Sequence, residues 1–132
     1  MTRCVLDAST AVEILLGTEV GQQALTIVDE DTPCAPHLFD VEVLSVIRRL
    51  TYKRELTLAR ANMAIEDLAM WPLMRFEHTA LLSGMWGLRN NVSAYDAAYA
   101  ALAISLNLPL LTADNPLAGA EIPGLRLLLV ST

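Results

Sequence analysis

The chain has 132 residues, of which 54% are hydrophobic, and a mean hydropathy of +0.42. This length and composition predict one folded domain spanning residues 1–132 and exclude a disordered chain. The net charge of −6 argues against broad affinity for nucleic acids, which requires a positive field, and instead suits a basic partner.

Strand-like and helix-like segments alternate along the chain. In order, the patterns predict a strand at 3–6, helices at 8–16 and 19–30, an extended piece at 33–36, helices at 38–52 and 56–70, a strand at 73–76, helices at 78–88 and 93–105, and strands at 108–112 and 127–130. This alternation predicts an α/β fold, a three-layer α/β/α sandwich with a central, mostly parallel twisted sheet. A functional site would lie beyond the carboxyl ends of its strands.

Four acidic residues stand in otherwise apolar surroundings. Asp7 and Asp114 follow two of the predicted strands, and Glu42 and Asp96 interrupt two apolar helices. If the fold brings them together, each pair of carboxylates about 4 Å apart repels by roughly 4 kcal/mol at an effective dielectric near 20. A cation removes that penalty, and oxygen-only ligands select a hard one such as Mg²⁺ or Mn²⁺. The sequence therefore predicts a metal site.

Each of these acids also has an ordinary structural interpretation. Asp7 could cap the helix that follows it, and Glu42 could pair with Arg49 along one helix face. Asp96 completes a loose capping box, and Asp114 could belong to a turn. Singly the signals are weak, but the joint placement of the acids at segment starts and strand ends favours the metal site.

No export signal or membrane span is expected from the pattern. The first apolar run stops at Asp7, and Asn107 and Pro109 interrupt the longest uncharged stretch. We therefore expect a cytoplasmic protein in which Cys4 and Cys34 are reduced core thiols, with a disulfide as the alternative.

The segments that carry the four acids resemble the signature segments of PIN-domain ribonucleases. They are Val-Leu-Asp-Ala-Ser at 5–9, Val-Glu-Val-Leu-Ser at 41–45, Ser-Ala-Tyr-Asp-Ala-Ala-Tyr at 93–99 and Leu-Thr-Ala-Asp at 111–114. The chain length and the segment Pro-His-Leu-Phe-Asp-Val-Glu at 36–42 are similar to the VapC toxins of bacterial toxin–antitoxin pairs in particular. The match runs in order through nearly the whole chain.

This resemblance implies a PIN-like fold and hydrolysis of RNA phosphodiester bonds with one or two Mg²⁺ or Mn²⁺ ions. It implies Asp7 and Asp96 as direct metal ligands. Asp114 would bind a second ion or act through water, and Glu42 would hold or activate the water. Hydroxyl neighbours, Ser9 and Thr112, would orient the carboxylates.

The resemblance also implies partners. A small VapB-like antitoxin would lay its C-terminal segment across the acidic groove, often through a basic side chain. Homodimers are common in the family, and exposed apolar residues on the predicted helix 56–70 are candidates for such an interface.

Substrate contacts are less defined by the sequence. Arg89 could contact RNA phosphates or cap a helix. A basic patch could also contact RNA phosphates, or it could offset a helix dipole; its members are Arg48, Arg49, Lys53 and Arg54. Trp71 and Trp86 could stack on bases or fill the core. The two histidines, at positions 37 and 78, lack the spacing of a zinc site.

Two other functions compete with the nuclease. A phosphoacceptor signalling domain shares an acidic Mg²⁺ pocket but needs a lysine near the end of a late strand. Lys53, the one lysine here, lies in the helical region instead, next to the predicted helix 38–52. A catalytically silent PIN-like binding module is the second alternative, and the presence of all four acids counts against it.

Overall fold

A computed structural model of the chain describes residues 3–28, 32–113, 117 and 119–130. Its elements in chain order are β1 (Val5–Leu6), α1 (Ala8–Leu16), α2 (Glu19–Val28), β2 (Cys34–Pro36), α3 (Leu38–Tyr52), α4 (Leu58–Met70), β3 (Met74–Phe76), a 3₁₀ turn (Thr79–Leu81), α5 (Leu82–Gly87), α6 (Ala94–Leu106), β4 (Leu110–Thr112) and β5 (Leu127–Leu129). Within the described residues, no helix combines the length and the apolar character needed to cross a membrane.

The five strands form one parallel sheet in the order β3-β2-β1-β4-β5. Val5 at the centre pairs with Cys34 on one side and with Leu110 on the other. The prediction of an α/β fold with a mostly parallel sheet is confirmed. Both cysteines are buried thiols, as expected, and burial raises the pKa of the Cys34 thiol.

The strand order fixes where the helices lie. From β1 the chain moves to β2 and β3 in one direction, then returns past β1 to reach β4. Because such crossovers are right-handed, reversing the direction moves the connecting helices to the other face of the sheet. Contacts agree with this, since α1 to α4 pack among themselves, and α6 packs on α5 and on β1, β2 and β4. The reversal makes the carboxyl ends of β1 and β4 the usual place for a site in such a sheet.

Small residues let α6 approach the sheet closely. Its segment 97–103 is buried throughout and consists of five alanines, Tyr99 and Leu102. The helix begins at Ala94, because the Ser93 side chain accepts a hydrogen bond from the Asp96 N–H at 3.2 Å. This cap sets the rotation of the first turn and therefore the position of Asp96.

Two predicted helix boundaries are wrong for local reasons. The helix expected at 78–88 is instead a 3₁₀ turn followed by the short α5, which contains two poor helix formers, Gly84 and Gly87. The helix expected from residue 56 begins at Leu58, because the Thr57 hydroxyl caps it by accepting from the Arg60 N–H at 3.2 Å.

Candidate functional site

Three of the four predicted acids line one pocket. Asp7, Glu42 and Asp96 border a space of about 300 Å³, and its other lining residues are Ala8, Ser9, Ser45, Val46, Arg49 and Tyr99. Three separate segments supply the acids: the end of β1, the second turn of α3 and the first turn of α6. Asp114, the fourth predicted acid, lies outside the described residues.

Asp7 is held by three donors at the end of β1. Its Oδ1 accepts from the Thr10 N–H at 2.9 Å and from the Ser9 hydroxyl at 3.1 Å, and the Thr112 hydroxyl donates to Oδ2. The side chain is only 4% exposed. Asp7 is thus both the N-cap of α1 and a lining residue of the pocket. Its capping role and its proposed role in the metal site are therefore compatible.

The end of β4 is fastened to the start of α1. Ala113 donates its N–H to the Thr10 hydroxyl at 2.9 Å, and Asp7 donates its N–H to the Leu111 carbonyl at 3.4 Å. These bonds join residues more than a hundred positions apart in sequence. They hold the carboxyl ends of β1 and β4 side by side.

Glu42 is held by Tyr99 rather than by Arg49. The Tyr99 hydroxyl donates to Glu42 Oε1 at 2.6 Å, and the tyrosine is only 2% exposed. Burial raises the pKa of Glu42, the Tyr99 hydrogen bond opposes that shift, and the charges of Asp96 and Asp7 add to it. Burial and the contact with Glu42 also raise the pKa of Tyr99. The negative charges of Asp7 and Asp96 therefore act on Glu42 across the pocket.

Tyr99 was not singled out in the sequence, although it ends the segment 93–99 that carries Asp96. A tyrosine in an uncharged, alanine-rich segment, 97–103, is the signal that could have identified it, because such a segment is expected to be buried and a buried hydroxyl requires a partner. Asp96 lies one turn before Tyr99 on α6, where the helix dipole favours a carboxylate.

The donor chemistry of the pocket fits a hard divalent cation, since all three acids offer oxygen. Among the described residues, however, no three carboxylate, histidine or cysteine side chains are close enough to form a metal site. Hydrogen bonds to Asp7 and Glu42 direct part of their oxygens towards the protein. The three acids therefore line one pocket, but the described side chains alone do not form a complete set of metal ligands.

The predicted substrate contacts fall in different places. Arg89 is exposed, donates to the Trp86 carbonyl at 3.0 Å and lies 5.0 Å from the Trp86 ring centre; it does not line the acidic pocket. Trp86 is 69% exposed. Trp71 packs edge-on against the buried Phe39 at 6.3 Å, as a core residue does.

The basic patch and the two histidines also divide by role. Arg49 lines the acidic pocket, whereas Arg48 lies over the Tyr52 ring at 4.5 Å. His78 accepts a hydrogen bond from the Leu38 N–H at its Nε2, at 3.0 Å, and so satisfies a free donor at the start of α3. The His37 and His78 rings are 6.2 Å apart.

An apolar groove lies between α3 and α4, on the other side of α3 from Arg49. It consists of two depressions of about 590 and 490 Å³ that share Leu44 and Ile65. We call this surface the α3–α4 groove. Its exposed apolar members include Val41, Leu44 and Leu58.

Comparison with known proteins places the chain in a family. The family model described as "PIN domain" matches residues 4–121. Ribonuclease VapC1 of Mycobacterium tuberculosis is 39% identical over 127 residues, covering 95% of this chain and 94% of that protein. Ribonuclease VapC3 of the same organism is 38% identical over 117 residues, covering 88% and 85%.

Solved structures share the fold. VapBC2 of Rickettsia felis, bound to a promoter DNA fragment, matches with a TM-score of 0.68 at 16% identity, over 96% of this chain and 98% of that one. DNA-bound VapBC of Salmonella typhimurium matches with a TM-score of 0.67 at 19% identity, over 96% and 97%. These structures show the fold, and the family model and the two curated relatives show that the chain belongs to the PIN-domain family, among its VapC ribonucleases.

Proposed function

We propose that this protein, acting as a single domain over residues 1–132, is a divalent-metal-dependent endoribonuclease and the toxin of a toxin–antitoxin pair. The observation that carries the proposal is the convergence of Asp7, Glu42 and Asp96 on one pocket at the carboxyl ends of β1 and β4. Names of the curated relatives support the ribonuclease activity. Since the substrate is RNA, we assign the protein to the cytoplasm.

The residues that would hold the metal are Asp7 and Asp96, with Asp114 as a further ligand. Mg²⁺ or Mn²⁺, when bound, would lower the pKa of a water molecule and stabilise charge that develops on the phosphate. Ser9 and Thr112 orient Asp7 through the hydrogen bonds described above. We assign Glu42 to the attacking water, because Glu42 lines the pocket and Tyr99 fixes only one oxygen of its carboxylate.

Arg89 is proposed as a peripheral contact to RNA. Its guanidinium is held over the exposed Trp86 ring, which combines a positive charge with an aromatic surface. Such a pair can meet a phosphate and an unstacked base together.

For the partner, we propose a small antitoxin that covers the acidic pocket with a basic side chain and lays an apolar segment in the α3–α4 groove. Leu44 and Ile65 line both depressions of the groove, and Leu44 belongs to α3, the helix that carries Glu42. The similar solved structures are VapBC and toxin–antitoxin complexes, which supports this assembly. We also propose a homodimer through the exposed Met63 and Met70 of α4, which line neither depression of the groove.

The test is cleavage of total RNA by the purified protein with Mn²⁺, with chelator, and with Mn²⁺ restored. We expect chelator to stop cleavage. Asp7→Asn and Asp96→Asn should each reduce the rate about a hundredfold or more, since both remove charge from the metal site. Asp67→Asn is the matched control, because Asp67 is an exposed acid on α4 outside the pocket.

Cleavage that persists in chelator, or that survives both pocket substitutions, would refute the proposal. Circular dichroism must show that each variant is folded, and asparagine retains the capping ability that α1 needs at position 7. A folded wild-type protein that binds Mn²⁺ and RNA but never cleaves would instead support the silent binding module.

A further inference from the structure

Among the described residues that line the acidic pocket, Arg49 is the one with a cationic side chain. Four residues of α3 line the pocket, and Ser45, Val46 and Arg49 lie three, four and seven positions after Glu42. This spacing puts them on one face of the helix. Arg49 therefore stands about two turns, or roughly 10 Å, along the pocket wall from Glu42.

Within the part of the chain that the structure describes, Arg49 forms no ion pair with a carboxylate of the pocket. The ion pair found there joins Arg75 to Asp40, at 2.7 Å. The hydrogen bond to Glu42 comes from Tyr99 instead. The side chain of Arg49 is exposed, so its guanidinium remains available for a ligand that enters the pocket.

An acidic pocket that cleaves RNA has an electrostatic difficulty, because its substrate is an anion. A divalent cation offsets the carboxylates, but the phosphodiester still needs a donor that orients its non-bridging oxygens. A guanidinium offers a planar pair of N–H donors that matches two phosphate oxygens. Arg49 is the residue of the pocket lining with that chemistry.

We infer that Arg49 binds the non-bridging oxygens of the RNA phosphodiester in the acidic pocket. The inference rests on the proposed function and adds a substrate-binding residue to it. Because the contact is to the backbone, Arg49 contributes affinity without choosing the base sequence. The competing explanation is that Arg49 merely offsets the dipole at the end of α3, since it lies in the last turn of that helix.

Arg48 separates the two explanations. It is the preceding residue, carries the same charge and lies one residue farther from the end of α3. It stacks on Tyr52 and lines the α3–α4 groove instead of the acidic pocket. An interaction of Arg49 with the helix dipole does not involve RNA, so it predicts no loss of RNA affinity when either arginine is removed. A phosphate contact predicts a loss of RNA affinity for Arg49 alone.

The two ligands of the pocket should respond in opposite directions to the loss of Arg49. Removing a positive charge weakens the attraction for RNA but lessens the repulsion of a divalent cation. We therefore expect Arg49→Gln to weaken RNA binding while Mn²⁺ binding stays the same or tightens. General damage to the pocket would weaken both.

The experiment compares Arg49→Gln, Arg49→Lys and Arg48→Gln. Mn²⁺ binding is measured by calorimetry without RNA. Binding of a fluorescent, mixed-sequence single-stranded RNA oligonucleotide is measured by anisotropy across a salt series, with Asp96→Asn also present so that the RNA stays intact. Cleavage of total RNA by the corresponding single variants is followed in parallel.

We expect Arg49→Gln to weaken RNA binding about tenfold or more, as the loss of a hydrogen bond to a charged group implies. The slope of log affinity against log salt should fall by about 0.7, the value for one phosphate contact on a single strand. Arg49→Lys should retain most of the slope and lose part of the affinity. Arg48→Gln should change affinity by less than about twofold, as an exposed surface substitution does.

Equal losses of RNA affinity in Arg48→Gln and Arg49→Gln, or no loss in Arg49→Gln, would overturn the inference while leaving a cleaving wild type intact. A joint loss of Mn²⁺ and RNA binding in Arg49→Gln would also overturn it, because that indicates a structural role. A wild type that binds no RNA would refute both the inference and the proposed function.

Discussion

The contribution of the hydrogen bond between Tyr99 and Glu42 to the free energy of unfolding can be measured directly by substitution. Tyr99→Phe deletes only the hydroxyl that donates to Glu42 at 2.6 Å, and the ring keeps its buried position. A hydrogen bond to a charged acceptor contributes about 1.5–3 kcal/mol to stability. Glu42 is partly exposed, so water replaces part of the lost bond. We expect the free energy of unfolding at neutral pH to fall by about 1–2 kcal/mol.

For a chain of this length, the loss corresponds to a decrease in Tm of about 4–7 °C. The assay is urea denaturation and calorimetry of metal-free protein. Tyr95→Phe is the matched control, because Tyr95 lies one turn earlier on α6 and is 65% exposed. It should change stability by less than about 0.5 kcal/mol.

A double-mutant cycle isolates the contact. Once Glu42→Gln has removed the charged acceptor, Tyr99→Phe should cost less than it does in the wild type, because only a neutral hydrogen bond is lost. Equal costs in the two backgrounds, or equal effects of Tyr99→Phe and Tyr95→Phe, would refute the assignment of Tyr99 as the residue that holds Glu42.

Two further substitutions test other contacts. His78→Leu removes the acceptor for the Leu38 N–H and should lower the free energy of unfolding by about 0.5–1.5 kcal/mol in urea denaturation. His37→Leu should have a smaller effect because the His37 side chain forms no cap bond, and equal losses would contradict the capping role. Met63→Asp with Met70→Asp should convert a dimer to a monomer in sedimentation analysis, since each places a charge in the apolar interface. A wild type that is already monomeric would refute the proposed interface.

The sheet could be predicted because its central strands are buried and short. Val5-Leu6 and Leu110-Leu111 are uninterrupted apolar pairs with no exposed surface, which is typical of parallel strands covered on both faces. The helix-like segments between the strands indicate the crossover connections of a parallel sheet. The convergence of Asp7, Glu42 and Asp96 followed from placing each acid at a segment start or a strand end.

What the sequence could not provide was the partner of each side chain. Glu42 and Tyr99 are 57 positions apart, and their contact depends on how α3 and α6 meet across the sheet. Likewise, the spacing of Glu42 and Arg49 allowed an ion pair that the packing of Tyr99 replaces. His78, next to the 3₁₀ turn at 79–81, accepts a hydrogen bond from the Leu38 N–H, 40 positions earlier. Long-range contacts of this kind leave no local pattern.

The bonds from Thr112 to Asp7 and from Ala113 to Thr10 have a consequence during translation. They connect the first described strand with the fourth, across 105 and 103 positions. A nascent chain that has not yet emerged from the ribosome as far as β4 lacks both, so the wall of the pocket at Asp7 is incomplete. If the protein cleaves RNA as proposed, we expect a nascent product that lacks β4 not to cleave, because the carboxylate of Asp7 is not yet held in place.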